Sequence, residues 1–336
     1  MLAPRNHLRT SHPRRGCAMI HLTARWPFLM GAILALGLSA CATHRIPPVG
    51  KQLPEENTLK LQIFLDSKGF GPGVVDGRPG EFTTKAASLY QQANGQPAGS
   101  QPSIGNIQPY TTYSVTAKDL SAIGTMASGP EAQSKQEKLP YTSLVELLSE
   151  RFHTTQTFLR KLNPSLDLNS VSAGTSVTVP NISRLFRFDE FPSGYAASGS
   201  TGSRRVIVNL QQKMLQVTEN GQTIAAFPIT PGSSQHPAPV GEWRVVGAVP
   251  WPWYRHDEGV LSRGERTDDF YNLPPGPNSP VGILWAGLNR PGVGIHGTPV
   301  PDTIGRAGSH GCIRLSNWDA ATFYTLIAKG TPVTIQ

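Results

Sequence analysis

The stretch GIHGTPVPDTIGRAGSHGCIRL, residues 294–315, decides how the C-terminal third of this chain folds and what chemistry it carries. It gathers His296, His310 and Cys312 within 17 residues. A thiol with a free pKa of about 8.5 is mostly protonated at neutral pH, so it needs a base or a cationic neighbour to act as a nucleophile. Imidazole, with a pKa of about 6.5, suits that role. His310 and Cys312 are two apart, so on an extended strand their side chains share one face. His296 arrives from a separate turn, and the glycines between them (Gly297, Gly305, Gly308) ease the return of the chain. Gly311 leaves the backbone beside the thiol unobstructed. Amide N–H groups around Gly311 and Cys312 are then available to stabilise an oxyanion during acyl transfer.

The flanking sequence alternates at period two. Val206, Val208 and Leu210, then Leu215 and Val217, predict strands. The Asn220-Gly221 pair predicts a tight hairpin after them. Further strand candidates are 224–229, 243–246, 283–286, 313–315 and 333–335, and one helix is expected over 319–328, with Asn317 as a possible cap. The C-terminal third is therefore mainly β with a late helix, a β-sandwich-like domain.

HGT followed by SHGCIRL resembles the signature of L,D-transpeptidases, the YkuD or ErfK/YbiS-like family, over residues 204–336, with PPGPNSPVG upstream and GTPVTI at the close. The resemblance implies Cys312 as nucleophile, His296 as general base and Gly297 as the residue whose carbonyl orients that histidine. It also implies Ser309, His310 and Gly311 as the rest of the active-site loop, and Arg314 as the usual basic residue, a candidate for binding a substrate carboxylate. The implied reaction is acyl transfer from a peptidoglycan tetrapeptide stem through a thioester, with no metal or cofactor. An amine acceptor gives a cross-link between diamino acids or a protein attached to the wall; water gives carboxypeptidase activity. Ala238-Pro-Val-Gly241 departs from the family's Thr-Pro-x-Gly. Trp251, Trp253 and Tyr254 lie in an insertion-like stretch, 251–280, and form either a lid over the cleft or simple packing.

Upstream, residues 58–96 suggest two helices around GFGPGVVDGRPG, with Leu61, Phe64 and Leu65 on the first and Ala86, Leu89 and Tyr90 on the second. The second opens at Thr83 or Thr84 as N-cap. This run resembles a small peptidoglycan-binding domain. Residues 97–138 carry no clear pattern. Residues 139–182 resemble the later part of a LysM module, a βααβ glycan-binding fold, whose opening strand could come from Tyr113–Val115 across an insertion. Residues 183–203 read as a linker, Gly/Ser-rich from 190 onward.

The first 41 residues read as an export signal: Arg25, an apolar run over 28–38, then Ser39-Ala40-Cys41. The run is too short for a bilayer span, which needs about 20 residues. Leu-Ser-Ala-Cys resembles a lipobox, implying acylation at Cys41, a polar tether over 42–57 and a periplasmic, outer-membrane lipoprotein. Met1 and Met19 both begin a complete signal. Of the three cysteines only Cys312 would remain outside the leader, which excludes a disulfide framework. The net charge of +8 falls to about +3 without the five arginines of the first 40 residues, and no dense basic run follows. Nucleic acid is therefore not expected as a partner; an anionic wall polymer or membrane surface suits the residual charge. Charged residues are 15% of the chain, while Gly (34) and Pro (30) are abundant, consistent with short strands and many turns. Two rival readings remain. Cys and His also suit a zinc hydrolase, and the modules alone would make a non-catalytic wall-tethering lipoprotein.

Overall fold

The computed structural model describes residues 56–100, 102–195, 202–233, 235–306, 308 and 311–336. The expected signal, Cys41 and nearly all of the tether lie outside the described residues, as do Ser309 and His310. Among the described residues no helix is long and apolar enough to cross a membrane.

The N-terminal elements are helices α1 (Glu56–Ser67) and α2 (Glu81–Ala93), strand β1 (Tyr110–Ser114), helices α3 (Ala117–Ser121), α4 (Pro130–Ser134), α5 (Leu144–Arg151) and α6 (Gln156–Leu162), and strand β2 (Ser176–Pro180). There follow β3 (Arg204–Asn209), β4 (Met214–Glu219), β5 (Gln222–Pro228), β6 (Gly241–Pro250), β7 (Tyr254–His256), α7 (Glu258–Arg263) and β8 (Tyr271–Leu273). The chain ends with β9 (Leu284–Leu288), β10 (Gly294–His296), β11 (Ile313–Arg314), α8 (Asn317–Leu326) and β12 (Pro332–Ile335).

Eight strands form one mixed sheet in the order β11-β10-β9-β6-β12-β3-β4-β5. Val206, Val208, Leu215, Val217, Ala225 and Phe227 are buried, as period-two alternation requires. Asn220 and Gly221 both take positive φ, 52° and 83°, as a two-residue type I′ turn demands, and Glu219 pairs with Gln222 across it. Beyond β5, Thr230 exchanges two backbone hydrogen bonds with Arg314, at 3.0 and 2.9 Å. The two ends of the sheet thus meet, and the wall curls closed there instead of leaving open edges. Ile295, Ile313 and Leu315 share one core with Trp318 and Phe323 of α8. That helix starts earlier than expected, and its cap is Ser316, whose hydroxyl accepts from the Asp319 amide at 3.2 Å. Asn317 is fully buried and turned to other partners, so it is not the cap.

The helical part packs directly on this sheet. Phe64, Leu65, Phe70, Ala86 and Leu89 cluster with Met214 and Ala226 of β4 and β5. Thr83 and Thr84 are not N-caps, because α2 begins at Glu81 behind Gly80. The buried Thr83 hydroxyl instead accepts from Gln62 at 3.2 Å, so a helix–helix contact claims the group a cap would have used. β1 pairs antiparallel with β2, Tyr110 opposite Pro180 and Ser114 opposite Ser176. It overlaps the segment Tyr113–Val115 that the sequence offered as the module's opening strand, and it starts three residues earlier. Leu144, Leu147 and Leu148 of α5 and Phe158 and Leu159 of α6 pack with Val177 and Val179 of β2. Residues 183–195, expected as the start of a linker, are packed as well: Phe186 and Phe191 are buried in the core of the sheet. Burying two such rings offsets the cost of ordering the segment. Every described residue falls in one unit running from 52 to 336.

Candidate active site

The site is built where the shortest strands meet. β10 lies between β9 and β11, and its parallel register with β11 sets Ile295 beside Ile313 and His296 beside Arg314. Ile295 and Ile313 are fully buried in the core. Side chains alternate along a strand, so His296 and Arg314 project from the opposite face, and so does Cys312, the residue before Ile313. Cys312 immediately precedes β11, two residues before the strand partner of His296. Trp285 stands opposite His296 on β9. The two rings stack with centroids 5.5 Å apart and planes 22° from parallel.

His296 is only 4% exposed, and its Nδ1 lies 2.7 Å from the Gly297 carbonyl oxygen. A carbonyl only accepts, so Nδ1 carries the proton and Nε2 keeps its lone pair. Burial holds the pKa of the ring down to about 4, with the Gly297 bond opposing and the Arg314 charge reinforcing. At neutral pH the ring is therefore an uncharged base. Gly297 has no room for a side chain: a Cβ there would collide with Asn317 Oδ1 and lie 3.2 Å from the Ile283 nitrogen. Asn317 Oδ1 in turn accepts from the Ile283 amide at 3.3 Å.

Cys312 is half-buried, and its Sγ lies 3.5 Å from the Gly292 carbonyl. Burial pushes its thiol pKa up, while a hydrogen bond with the Gly294 backbone and the Arg314 charge pull it back. The cationic neighbour expected from the sequence is present, but desolvation outweighs it. Desolvation therefore favours the protonated thiol. Gly311 holds φ at 94°, and the nearest atom to an added Cβ would be the Pro237 oxygen at 3.6 Å. Its requirement is conformational rather than spatial. Gly294 is the reverse case, because a Cβ there would come within 2.8 Å of the Trp285 ring.

The three aromatics at the start of the insertion part company. Trp251 packs, its Nε1 donating to the Phe191 carbonyl at 2.8 Å, whereas Trp253 is 62% exposed. Tyr254, on the β7–β8 hairpin, lies in the electrostatic field of Cys312 and Arg314; burial raises its phenol first and the Cys312 charge adds to that. Arg314 donates from Nη1 to the Gly308 carbonyl at 3.3 Å. The structure thus gathers His296, Gly297, Gly311, Cys312 and Arg314. The remaining predicted loop residues, Ser309 and His310, lie outside the described residues. Trp285 and Gly294 belong to the same neighbourhood and were not singled out, and Asn317, expected only as a helix cap, joins them. Trp285 sat within an expected strand, and only the strand pairing shows which residue it faces.

Residues 203–335 match the family model of YkuD, the L,D-transpeptidase catalytic domain. Among curated proteins, the putative L,D-transpeptidase YkuD of Bacillus licheniformis is 29% identical over 191 residues, covering 57% of this chain and 92% of that protein. Its namesake in Bacillus subtilis is 27% identical over 185 residues, 55% of this chain and 88% of the other. The probable L,D-transpeptidase ErfK/SrfK of Escherichia coli is 26% identical over 201 residues, 58% of this chain and 59% of that protein. A solved L,D-transpeptidase from Mycobacterium smegmatis covers 40% of this chain and 58% of its own at 23% identity, with a TM-score of 0.33, too slight a likeness to build on.

Proposed function

We propose that the chain is a cysteine L,D-transpeptidase acting on peptidoglycan tetrapeptide stems. The observation that supports this is the β10–β11 register, which pairs His296 with Arg314, two residues past the only described cysteine, while the Gly297 bond at Nδ1 leaves the lone pair of the neutral imidazole on Nε2. The family match over the same residues supports the substrate class. Cys312 Sγ attacks the carbonyl carbon of the third stem residue while its proton passes to His296 Nε2. The C–N bond to the terminal D-alanine breaks, and Nε2 returns the proton to the leaving amine. An acceptor amine then attacks the thioester, gives its proton to Nε2, and Sγ departs. Backbone N–H groups around Gly311 and Cys312 stabilise the oxyanion, Ser309 and His310 complete the loop, and Arg314 faces the substrate carboxylate. Water in place of the amine would make the same thioester a carboxypeptidase intermediate.

Purified enzyme incubated with muropeptides and followed by mass spectrometry tests this. Expected are D-alanine release and linkages between diamino acids, both lost in Cys312→Ala. A folded wild type that yields neither product sinks the reading.

On the same proposal Cys41 is acylated and anchors the enzyme to the outer membrane, facing the periplasm. Metabolic palmitate labelling that persists in Cys41→Ala would remove the anchor from the scheme. The α1–α2 pair and the β1–β2 sheet with α5 and α6 are proposed as peptidoglycan-binding-like and LysM-like modules. The antiparallel pairing of β1 with β2, with α5 and α6 among the four helices between them, supports the second of these.

A further inference from the structure

The turn behind His296 is not held by the sheet alone. Asn317 Nδ2 donates to both carboxyl oxygens of Glu150, at 3.1 Å each, and to the Pro277 carbonyl at 3.2 Å. Glu150 belongs to α5, 167 residues earlier in the chain. The Tyr141 hydroxyl donates to its Oε2 at 2.8 Å. All three side chains are buried, with Asn317 at 0% exposure. Asn317 is thus fixed at both ends, Nδ2 by Glu150 and Oδ1 by the Ile283 amide. Its Oδ1 sits against two glycines, Gly282 and Gly297, and a Cβ on either would collide with it. Gly297 is the residue whose carbonyl takes the His296 Nδ1 proton.

The segment leading into α5 also grips the loop before β9. The Leu139 amide donates to Pro275 O at 2.9 Å, and the Asn278 amide to Leu139 O at 3.3 Å. Asn278 Nδ2 donates to Pro140 O and to Glu146 Oε1, both at 2.7 Å. Gly276 has no space for a Cβ against the Leu139 backbone. Pro277, whose carbonyl accepts from Asn317, lies inside this clamped loop.

The geometry points to Glu150 as a positioning residue for His296: through Asn317 it fixes the Gly297 carbonyl that sets the tautomer and aim of the imidazole. The inference rests on the acyl-transfer reading. It makes the α5 segment part of what completes the catalytic centre, beyond any contact it makes with the wall. Glu150 touches neither sulfur nor substrate; it acts only through this chain of contacts.

The test uses full-length protein, wild type against Glu150→Leu and Glu150→Gln. It reads steady-state kinetics on a tetrapeptide muropeptide and the pH profile of Cys312 alkylation by iodoacetamide. Glu150→Leu removes the acceptor, and a small drift of the base lowers kcat by roughly 10- to 100-fold with KM little changed. Alkylation at neutral pH slows in parallel. Glu150→Gln keeps an oxygen for Asn317 and an N–H₂ for the Tyr141 oxygen, and restores most of both rates. Tyr141→Phe, which removes one hydroxyl, serves as the milder probe where Glu150→Leu does not fold, and shifts both readouts the same way. A folded Glu150→Leu, or failing that a folded Tyr141→Phe, with wild-type kcat and alkylation profile overturns the proposal. Alkylation needs no substrate. A wild type that turns over no stem, while Glu150→Leu still slows alkylation, overturns the transpeptidase reading and upholds the positioning role.

Discussion

Gly297 and Gly311 flank the chemistry and need glycine for different reasons, so alanine at each reports a different quantity. At Gly311 the added Cβ has space and only the backbone is strained, which costs about 1–2 kcal/mol. Gly311→Ala is expected to lose that much in a denaturant melt. At Gly297 the Cβ strikes Asn317, which must move and take the His296 turn with it. Gly297→Ala is expected to lose kcat as well as stability, measured on the same muropeptide assay. Cys312 and His296 could be named from residue type and spacing, because the acyl transfer proposed for them restricts which side chains suit it. Their ionisation was not legible. The low imidazole pKa and the raised thiol both follow from burial, and burial is supplied by Trp285 and other residues that no local motif names.

Strands were readable in part, and not by length alone. β3 alternates over its six residues, while β4 and β5 are also buried on the face the helices cover, and the Asn220-Gly221 turn fixes their register. β10, with three residues, was not expected, whereas the two residues of β11 fall within the expected strand 313–315. Side-chain hydrogen bonds decided the helix starts. Ser316 serves α8 as cap and also donates to Asp319 Oδ2 at 2.8 Å. Ser316→Ala is expected to destabilise the protein by about 1 kcal/mol, as loss of a helix cap does, read from thermal or urea unfolding. An unchanged midpoint would mean that Asp319 or water replaces the hydroxyl.

Across the whole molecule, one of the contacts that join the helical part to the sheet links positions 150 and 317, a separation over which sequence pattern carries no signal. Burial raises the Glu150 carboxyl to about 8, with the Tyr141 and Asn317 hydrogen bonds pulling the other way. The folded chain therefore keeps a proton there that the unfolded chain releases near its ordinary value of 4.5. Stability from this group is present in acid and is lost as pH rises through the window from about 4.5 to 8. Wild type is expected to lose stability relative to Glu150→Gln between pH 5 and 8, by up to about 4 kcal/mol. Melting both proteins across that range measures it, and parallel curves would contradict the assigned burial.

The seam between Thr230 and Arg314 has a further consequence for the chain on either side of it. Two backbone hydrogen bonds between them fasten this end of the wall, and Arg314 lies just two positions past Cys312. The Thr230 hydroxyl also accepts from the Gly305 amide at 2.8 Å, so the residue that closes the wall holds a second segment as well. Joining and anchoring thus fall to one side chain and its own backbone.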